Sequence, residues 1–395
     1  MLVFILNAGS SSLKYQLMNP STQKILASGL CERIGIDGRL VHIANDEKIK
    51  SDINMPTHKE AIEIVLQTLT TGEKKVINSI EDIDSIGHRV VHGGEYFSNS
   101  VIVTQDVIEK LEELIPLAPL HNPANILGMK ICMELMPGKQ NVAVFDTAFH
   151  QTMKPSSFMY AVPYEDYKDY GVRKYGFHGT SHSYVSNEAV KLLDKKDSKV
   201  IVCHLGNGSS VCAVRDGKSI DTSMGLTPLE GLMMGTRSGD IDAGVLSYLM
   251  SKKEMSADEV VNYLNKKSGL LGISGISSDL REIIEAGEAG NERAELCIDM
   301  KCNRIKKYIC SYAGMLEGVD AICFTAGIGE NADIIREKVC SGLEFMGVEL
   351  DKDKNIVRND ENREINKETS KTKIFVIPTN EEFVIAKDTY ELTKV

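Results

Sequence analysis

Short apolar runs alternate with longer amphipathic stretches along most of this chain. Runs rich in β-branched residues predict buried strands, and apolar residues spaced three or four positions apart predict helices. Strands are predicted at residues 3–6, 13–18, 86–91, 142–145, 200–205, 210–215 and 321–325, and helices at residues 61–69, 294–316 and 332–339. The apolar face predicted for the longest helix comprises Leu296, Met300, Ile305, Ile309, Tyr312 and Leu316. This alternation is typical of α/β proteins.

Two strand–turn–strand segments, one in each half of the chain, repeat the same pattern. Residues 3–13 align with residues 200–211 with an offset of one position. The repeat predicts a duplicated fold with one copy per domain, and chance similarity between two hairpins is the alternative. Both turns, residues 7–12 and 204–210, consist of small residues whose backbone N–H groups suit phosphate oxygens, although an ordinary β-turn has the same composition.

Length and composition fit two globular domains. The chain has 395 residues, of which 42% are hydrophobic and 26% charged. We place the domains at residues 1–148 plus 383–395 and at residues 149–382. The polar stretch at residues 351–373 is predicted to be a solvated surface excursion.

Net charge and cysteine content limit the classes of partner and the cellular compartment that we expect for this protein. The net charge of −11 disfavours nucleic acid and membrane surfaces as partners. Nine cysteines without a C-x-x-C pair argue against a disulfide framework or a zinc ribbon. No apolar run reaches the length of a membrane span, and the first residues lack the basic region of a signal peptide, so we expect a cytoplasmic enzyme.

Two arginines are candidate anion-binding residues because glycines surround them. Arg89 and Arg237 have few charged neighbours, and a guanidinium fork suits carboxylate or phosphate oxygens, although a surface ion pair is the ordinary role of an arginine. Asp146 closes a predicted strand and is either a helix cap or a catalytic carboxylate. Glu381 and Glu382 either reach a magnesium ion or cap the last helix.

A glycine-rich junction follows the predicted strand at residues 321–325. Residues 327–331 lead into the predicted helix at 332–339, and such a junction suits a nucleotide because free backbone amides meet a helix N-terminus. The same residues fit a dinucleotide fingerprint, but no ribose carboxylate follows them. His178 and His182 have the spacing of a zinc pair but lack the glutamate that usually lies between such histidines.

Six short motifs, taken in order, resemble the acetate kinase family within the superfamily of sugar kinases, Hsp70 and actin. They are NAGSSSLK (residues 7–14), GHRVVHGG (87–94), YGFHGTSH (175–182), HLGNG (204–208), TSMGLTPLEG (222–231) and PTNEE (378–382). The resemblance implies an α/β fold of two duplicated ribonuclease H-like domains with an interdomain active-site cleft. It also implies reversible phosphoryl transfer from ATP to acetate, a Mg²⁺ cofactor with Mn²⁺ as a substitute, and a homodimer.

The resemblance implies a role for each matching position. The first domain would carry the first phosphate hairpin and part of the acyl site, and the second would carry the nucleotide-binding segments. The implied metal ligands are Asn7 and Glu381, and the implied catalytic residues are Arg89, Asp146, His178 and Arg237. Substrate contacts are implied for Arg89, Lys14, Val91, Leu120, Phe177 and Pro228. Nucleotide contacts are implied for His204, Leu205, Gly206, Asn207, Gly208, Asp279, Leu280, Arg281, Gly327, Ile328, Gly329, Glu330 and Asn331.

The chemistry of this reaction agrees with the residues available. A carboxylate acceptor is already ionised at neutral pH, so its attack on phosphorus needs charge cancellation and alignment more than a strong base. We therefore hypothesise that Asp146 orients a cationic partner or a metal-bound water. Size selection is expected at Val91, where a smaller residue would admit one more methylene.

The sequence leaves other functions open. A propionate or butyrate kinase would share this fold and chemistry. A sugar or polyol kinase would use Asp146 as a base towards a hydroxyl group. An ATPase of the Hsp70 or actin type would hydrolyse ATP without an acceptor, and a dehydrogenase built on residues 327–332 is the remaining alternative.

Overall fold

The computed structural model describes residues 1–394, which form two compact units. The first comprises Met1–Phe149 and residues 380–394, and the second comprises His150–Thr379. The predicted division differs at residues 149 and 380–382. The second difference arises because Asn380 caps the last helix, whose side chains pack in the first unit, so neither Glu381 nor Glu382 is the cap.

The first unit is built on an eight-stranded mixed sheet. Its strands are β1 (Val3–Ala8), β2 (Leu13–Asn19), β3 (Lys24–Glu32), β4 (Arg39–Ala44), β5 (Glu47–Asp52), β6 (Ser85–Val90), β7 (Val101–Ile102) and β8 (Gln140–Phe145). The order across the sheet is β5-β4-β3-β2-β1-β6-β8-β7, in which β1, β6 and β8 are parallel and the other neighbours are antiparallel. Its helices are α1 (His58–Thr70), α2 (Gln105–Glu113), α3 (Asn122–Leu135) and α15 (Glu381–Thr393).

Alternating side chains of β1 account for the layers of the first unit. Phe4 and Leu6 pack into a core shared with α1 and α3, whereas Val3 and Ile5 pack into a second core with Ile385 of α15. A strand that is apolar on both faces needs helices on both sides of its sheet. The first unit is therefore a three-layer α/β/α arrangement.

The second unit is built on a six-stranded mixed sheet. Its strands are β9 (Lys199–Leu205), β10 (Ser209–Arg215), β11 (Lys218–Thr222), β12 (Ala321–Thr325), β13 (Arg363–Glu364) and β14 (Lys373–Val376), in the order β11-β10-β9-β12-β14-β13. Its helices are α4 (Pro155–Phe158), α5 (Tyr164–Tyr170), α6 (Gly179–Leu193), α7 (Ala243–Lys253), α8 (Ala257–Lys266), α9 (Gly269–Ser274), α10 (Leu280–Glu288), α11 (Glu292–Met315), α12 (Ala326–Asn331), α13 (Asp333–Cys340) and α14 (Lys352–Asn355).

The two sheets share a five-stranded pattern. In the first unit this pattern is β3-β2-β1-β6-β8, and in the second it is β11-β10-β9-β12-β14. Each begins with three antiparallel strands joined by hairpins and continues with two parallel strands. This confirms the duplicated fold predicted from the repeated hairpin.

The long helix α11 covers one face of the second sheet, but its buried face differs from the predicted one. Ile305, Ile309 and Tyr312 are buried as expected, whereas Leu296 is 53% exposed. The buried stripe begins instead at Ala294 and continues through residues such as Cys297, Ile298, Lys301 and Cys302. The prediction of Leu296 is wrong because a small residue, two cysteines and a lysine take core positions along this helix.

One further expectation is corrected by the structure: residues 327–331, predicted as a glycine-rich junction, lie within α12. Residues 351–373 are mostly exposed, as predicted, although β13 pairs with β14 and Asn355, Ile365 and Asn366 are buried. Among residues 1–394, no helix is both long and apolar enough to cross a membrane.

Candidate active site

A buried carboxylate and a guanidinium form the centre of the candidate site in the first unit. Arg89 on β6 and Asp146, directly after β8, meet because these strands are parallel neighbours. Arg89 donates from Nε to Asp146 Oδ1 (3.0 Å) and from Nη2 to Oδ2 (2.6 Å), and Asp146 is 1% exposed. The carboxylate raises the pKa of Arg89, while burial raises the pKa of Asp146 against the opposing effect of Arg89. The carboxylate oxygens are therefore used by an arginine and not by the N–H groups of a helix.

The implied metal ligands line one small cavity in the same unit. Asn7 and Lys14 are partners across the β1–β2 hairpin, and Glu381 and Glu382 occupy the first turn of α15. These four residues and Arg89 line the cavity, and Lys14 forms an ion pair with Glu382. Among residues 1–394, no cluster of three or more His, Cys, Asp or Glu side chains is arranged to hold a metal. Asn7 and Glu381 nevertheless fit Mg²⁺, which is usually held by one or two carboxylates together with water and substrate phosphate.

The four residues implied for the acyl group are divided between the units. In the first unit, Val91 follows β6 and is 6% exposed, whereas Leu120 is 63% exposed. In the second unit, Phe177 is buried, and the carbonyl of Pro228 accepts a hydrogen bond from Arg237 Nη1 (3.0 Å). Val91 and Phe177 are thus closely packed, each within its own unit.

In the second unit, the implied catalytic residues His178 and Arg237 meet at the turn formed by residues 206–208 between β9 and β10. His178 precedes α6 with a left-handed backbone (φ +59°), and its Nδ1 lies 2.9 Å from Ser210 Oγ. A Cβ at Gly208 would lie 3.3 Å from His178 Nε2 and 3.8 Å from Arg237 Nη1. Glycine therefore lets this turn approach both side chains closely. The His178 ring also stacks on His204, with 4.1 Å between the ring centroids.

Arg237 presents its charge without a carboxylate partner. Its hydrogen bonds go to the Pro228 carbonyl and weakly to Met234 Sδ, and no Asp or Glu among residues 1–394 lies within ion-pair distance of it. Burial lowers the pKa of Arg237 from its ordinary value, but an arginine remains charged at neutral pH. An unpaired guanidinium beside a glycine turn suits an anionic oxygen.

The histidine pair considered as a zinc site has another use. His182 Nε2 lies 2.7 Å from Ser210 Oγ, the same hydroxyl that contacts His178. Burial holds the pKa of His182 well below its ordinary value, so this ring is neutral at neutral pH. Both histidines are therefore engaged by one serine of β10.

A groove of about 900 Å³ lies beside the 206–208 turn in the second unit. Eight of the implied nucleotide contacts line it, namely Gly206, Asn207, Asp279, Leu280, Arg281, Gly327, Ile328 and Asn331. Sequence reasoning missed other lining residues, namely Ser278, Ile284, Glu285, Glu288, Ala332, Asp333, Ile334 and Arg358. Ile284, Glu285 and Glu288 follow Leu280 and Arg281 at helical spacing, a signal that could have identified them.

The other implied nucleotide residues do not line the groove. Leu205 is fully buried in the core, and His204 Nδ1 lies 2.7 Å from Ser181 Oγ. Glu330 accepts a hydrogen bond from the Thr379 N–H (3.2 Å). These residues, together with Gly208 and Gly329, form or support the strands and turns that border the groove.

A buried arginine holds the glycine-rich helix α12 in place. Arg336 is fully buried and donates from Nη1 to the carbonyls of Gly329 (2.9 Å) and Glu330 (3.0 Å), near the end of α12 where carbonyls lack helical partners. Its Nε and Nη2 donate to the side-chain and backbone oxygens of Asn355 on α14 (2.7 and 2.6 Å). Burial lowers the pKa of Arg336 to about 10, so it is charged at neutral pH. The groove wall therefore depends on a residue outside every predicted motif.

Known proteins match this chain over nearly its full length. The model of the acetokinase family matches residues 2–387. The chain is 56% identical to an acetate kinase of Fusobacterium nucleatum subsp. nucleatum, with 100% of both chains covered, and 54% identical to an acetate kinase of Treponema denticola over the same shares. A crystal structure of Porphyromonas gingivalis acetate kinase superimposes with a TM-score of 0.96 at 48% identity and 100% coverage of both chains. A propionate kinase from Francisella tularensis superimposes with a TM-score of 0.93 at 46% identity and 99% coverage of both chains.

Proposed function

Because the chain belongs to the acetokinase family, we propose that it catalyses reversible transfer of the γ-phosphoryl group of ATP to acetate, giving acetyl phosphate and ADP. The observation that carries this proposal is the 206–208 turn. Gly206 and Asn207 line the groove that suits a nucleotide, and a Cβ at Gly208 would lie within 3.8 Å of both His178 Nε2 and Arg237 Nη1. The end of the groove where phosphates would lie is thus the end beside Arg237 and His178.

The cations supply what this reaction requires. Acetate and ATP are both anions, so the barrier to direct in-line transfer includes their repulsion. Arg237 and His178 would neutralise the phosphoryl group in transit, and the edge of the Arg89 guanidinium that Asp146 does not occupy would bind the acetate carboxylate. Lys14 lines the same cavity as Arg89 and would add positive charge there on leaving its ion pair with Glu382.

Asn7 and Glu381 would hold the metal ion of the reaction, Mg²⁺ or Mn²⁺. When bound, such an ion bridges phosphate oxygens and neutralises their charge. Asp146 would act on Arg89 by fixing its orientation through two hydrogen bonds. No base is assigned, because the carboxylate acceptor carries no proton at neutral pH.

A second candidate acceptor is propionate. The likeness to the Francisella tularensis propionate kinase favours it, because 46% identity extends over nearly the whole chain. Val91, Leu120, Phe177 and Pro228 would decide between the two acids by the space they leave. One methylene changes transition-state binding by only about 1–3 kcal/mol, so discrimination between them would be partial.

The proposal extends to assembly and location. The enzyme would work as a homodimer in the cytoplasm, with small molecules as its substrates. The net charge of −11 supports the exclusion of nucleic acid and membrane surfaces as partners. Size-exclusion chromatography with light scattering would measure the assembly directly.

The proposed function is tested by trapping acyl phosphate as hydroxamate in the presence of ATP and Mg²⁺. Acetate, propionate, butyrate and glycerol are compared, and ADP release is measured in parallel. Hydroxamate should be strongest with acetate, and Arg237→Ala should reduce it by at least about 100-fold because an unpaired phosphate-binding guanidinium is lost. The matched control, Arg215→Ala, removes an arginine that pairs with Asp197 at the surface and should leave the rate unchanged. ADP release without hydroxamate would contradict the proposal and favour a sugar kinase or an ATPase.

A further inference from the structure

A lysine without a counter-ion is buried in the middle of α11. Lys301 is fully buried, and its Nζ donates to the carbonyl of Met233 (3.2 Å) and to Ser209 Oγ (3.4 Å). No carboxylate among residues 1–394 lies within ion-pair distance of it. An ammonium group in such a place is costly unless negative charge is supplied from elsewhere.

Both contacts of Lys301 lead to the candidate phosphate site. Ser209 directly follows Gly208. Its Oγ donates to the carbonyl of Gly206 (2.9 Å), and this hydrogen bond spans the 206–208 turn. Met233 belongs to the loop that carries Arg237, and the next residue of that loop donates its N–H to the Arg237 carbonyl (3.1 Å). The Lys301 ammonium group thus contacts the residue that directly follows the 206–208 turn. It also contacts the loop that carries Arg237.

The surroundings of Lys301 make its proton easier to remove than that of an exposed lysine when no ligand is bound. The titratable groups that face it are Cys297 and Cys302, both on α11, while β10 and the Met233 loop face it with a hydroxyl and a carbonyl oxygen. Burial lowers the pKa of Lys301 to about 8. Near that pH the ligand-free protein would therefore hold a mixture of ammonium and amine.

We infer that Lys301 is a positioning residue that couples nucleotide binding to proton uptake. A phosphate anion bound at the 206–208 turn supplies the negative charge that the ammonium lacks, so binding keeps Lys301 protonated. The protonated side chain in turn holds Ser209 and Met233, and through them the turn and the Arg237 loop. This inference rests on the proposed nucleotide site, and it adds a pH dependence that the phosphoryl-transfer chemistry does not itself require.

The test is calorimetry of ADP binding in buffers of different ionisation enthalpy. Near pH 8 the wild-type protein should take up about half a proton more per site than Lys301→Met, because about half of its Lys301 is neutral before binding. The affinity of the wild type for ADP should fall by up to tenfold for each pH unit above about 8. At neutral pH, Lys301→Met should bind ADP about tenfold more weakly than the wild type, and its affinity should not show this decrease with pH. Adenosine, which has no phosphate, should bind both proteins equally.

Two further variants separate charge from structure. Lys301→Gln keeps hydrogen-bond donors for Met233 and Ser209 without the charge, so it should also lose the extra proton uptake. Lys307→Met removes an exposed lysine of the same helix and should behave as wild type. Thermal melts of all three identify any variant that does not fold, and Lys301→Gln serves if Lys301→Met fails.

The failures of the two proposals are distinguishable. If the wild-type protein binds no ADP at any pH, the proposed nucleotide site is wrong. If the wild type binds ADP but takes up the same number of protons as Lys301→Gln and Lys301→Met, the inference about Lys301 is overturned while the proposed function stands.

Discussion

Asp146 illustrates how one residue type can serve two different mechanisms. A carboxylate near a transferred phosphoryl group is either a base or an orienting group, and its hydrogen bonds distinguish the two roles. Both oxygens of Asp146 accept from Arg89, and the carboxyl group is 1% exposed. A base would need to present an oxygen to the acceptor, whereas an orienting group needs this bidentate pair. The geometry therefore supports an orienting role.

Asp146→Asn should reduce kcat by about 10- to 100-fold without abolishing activity, which corresponds to about 1.4–2.7 kcal/mol. The amide keeps one acceptor oxygen for Arg89 but loses the charge and the second acceptor. The measurement is kcat and KM for acetate, with circular dichroism to verify folding. Asp197→Asn, at an exposed ion pair with Arg215, is the control and should be neutral. Complete loss of activity in a folded protein that still binds acetate would show that Asp146 is an obligatory base.

Val91→Ala should raise the ratio of kcat/KM for propionate to that for acetate by about five- to tenfold. The substitution removes two methyl groups from a buried wall, and a methylene that fits is worth about 1–3 kcal/mol. The backbone should remain in place, because the Val91 N–H donates to Asn125 Oδ1 (3.0 Å) whatever the side chain. Val65→Ala makes the same truncation at a fully buried position of α1 and should leave the ratio unchanged. An unchanged ratio in Val91→Ala would remove Val91 from the acyl site.

Among the elements, α12 depends on residues outside its own segment. Gly327 and Gly329 are poor helix formers, so local propensity does not predict a helix at this point. The helix forms because Arg336 satisfies its terminal carbonyls and Asn355 holds Arg336. The central strands, by contrast, were predictable, because runs such as residues 321–325 are apolar on both faces and β-rich by composition. Edge strands such as β5 and β13 were not predicted, because their exposed residues do not form an apolar run.

Asn355→Ala should destabilise the second unit by about 2–3 kcal/mol and raise the KM for ATP by about three- to tenfold. It deprives the buried Nε of Arg336 of its acceptor (2.7 Å) and removes the Asn355 Nδ2 hydrogen bond to the Asp333 carbonyl (3.0 Å). The KM for acetate should change little, because α12 borders the nucleotide groove. Thermal melts and steady-state kinetics measure both effects, and the exposed Lys352→Ala on the same helix should change neither. Unaltered stability would show that the Arg336 network contributes little.

At the scale of the molecule, the sequence reveals the motifs of the site but not the residues that hold those motifs in place. The family and the duplicated α/β fold are confirmed, because glycine turns and buried strands leave local signals. The residues that hold the motifs in place leave no local signal in the sequence. Arg336, Asn355 and Lys301 acquire their roles only through tertiary contacts. A periodic pattern treats every lysine as exposed, and this is why the buried face of α11 was misjudged. The roles assigned to individual site residues stay predictions.

The reactivity of the cysteines tests whether the buried cores exclude solvent and reagents. All nine are free, eight are buried, and Cys310 is partly exposed. Burial also raises the pKa values of the eight buried cysteines, for example that of Cys302 to about 11, so their reactive thiolate form is scarce at neutral pH. Ellman's reagent should therefore titrate one thiol rapidly in the native protein and nine in denaturant. The native signal should disappear in Cys310→Ser. More than one fast thiol would show that a core opens on the timescale of the assay, and fewer than nine in denaturant would reveal a disulfide that the structure lacks.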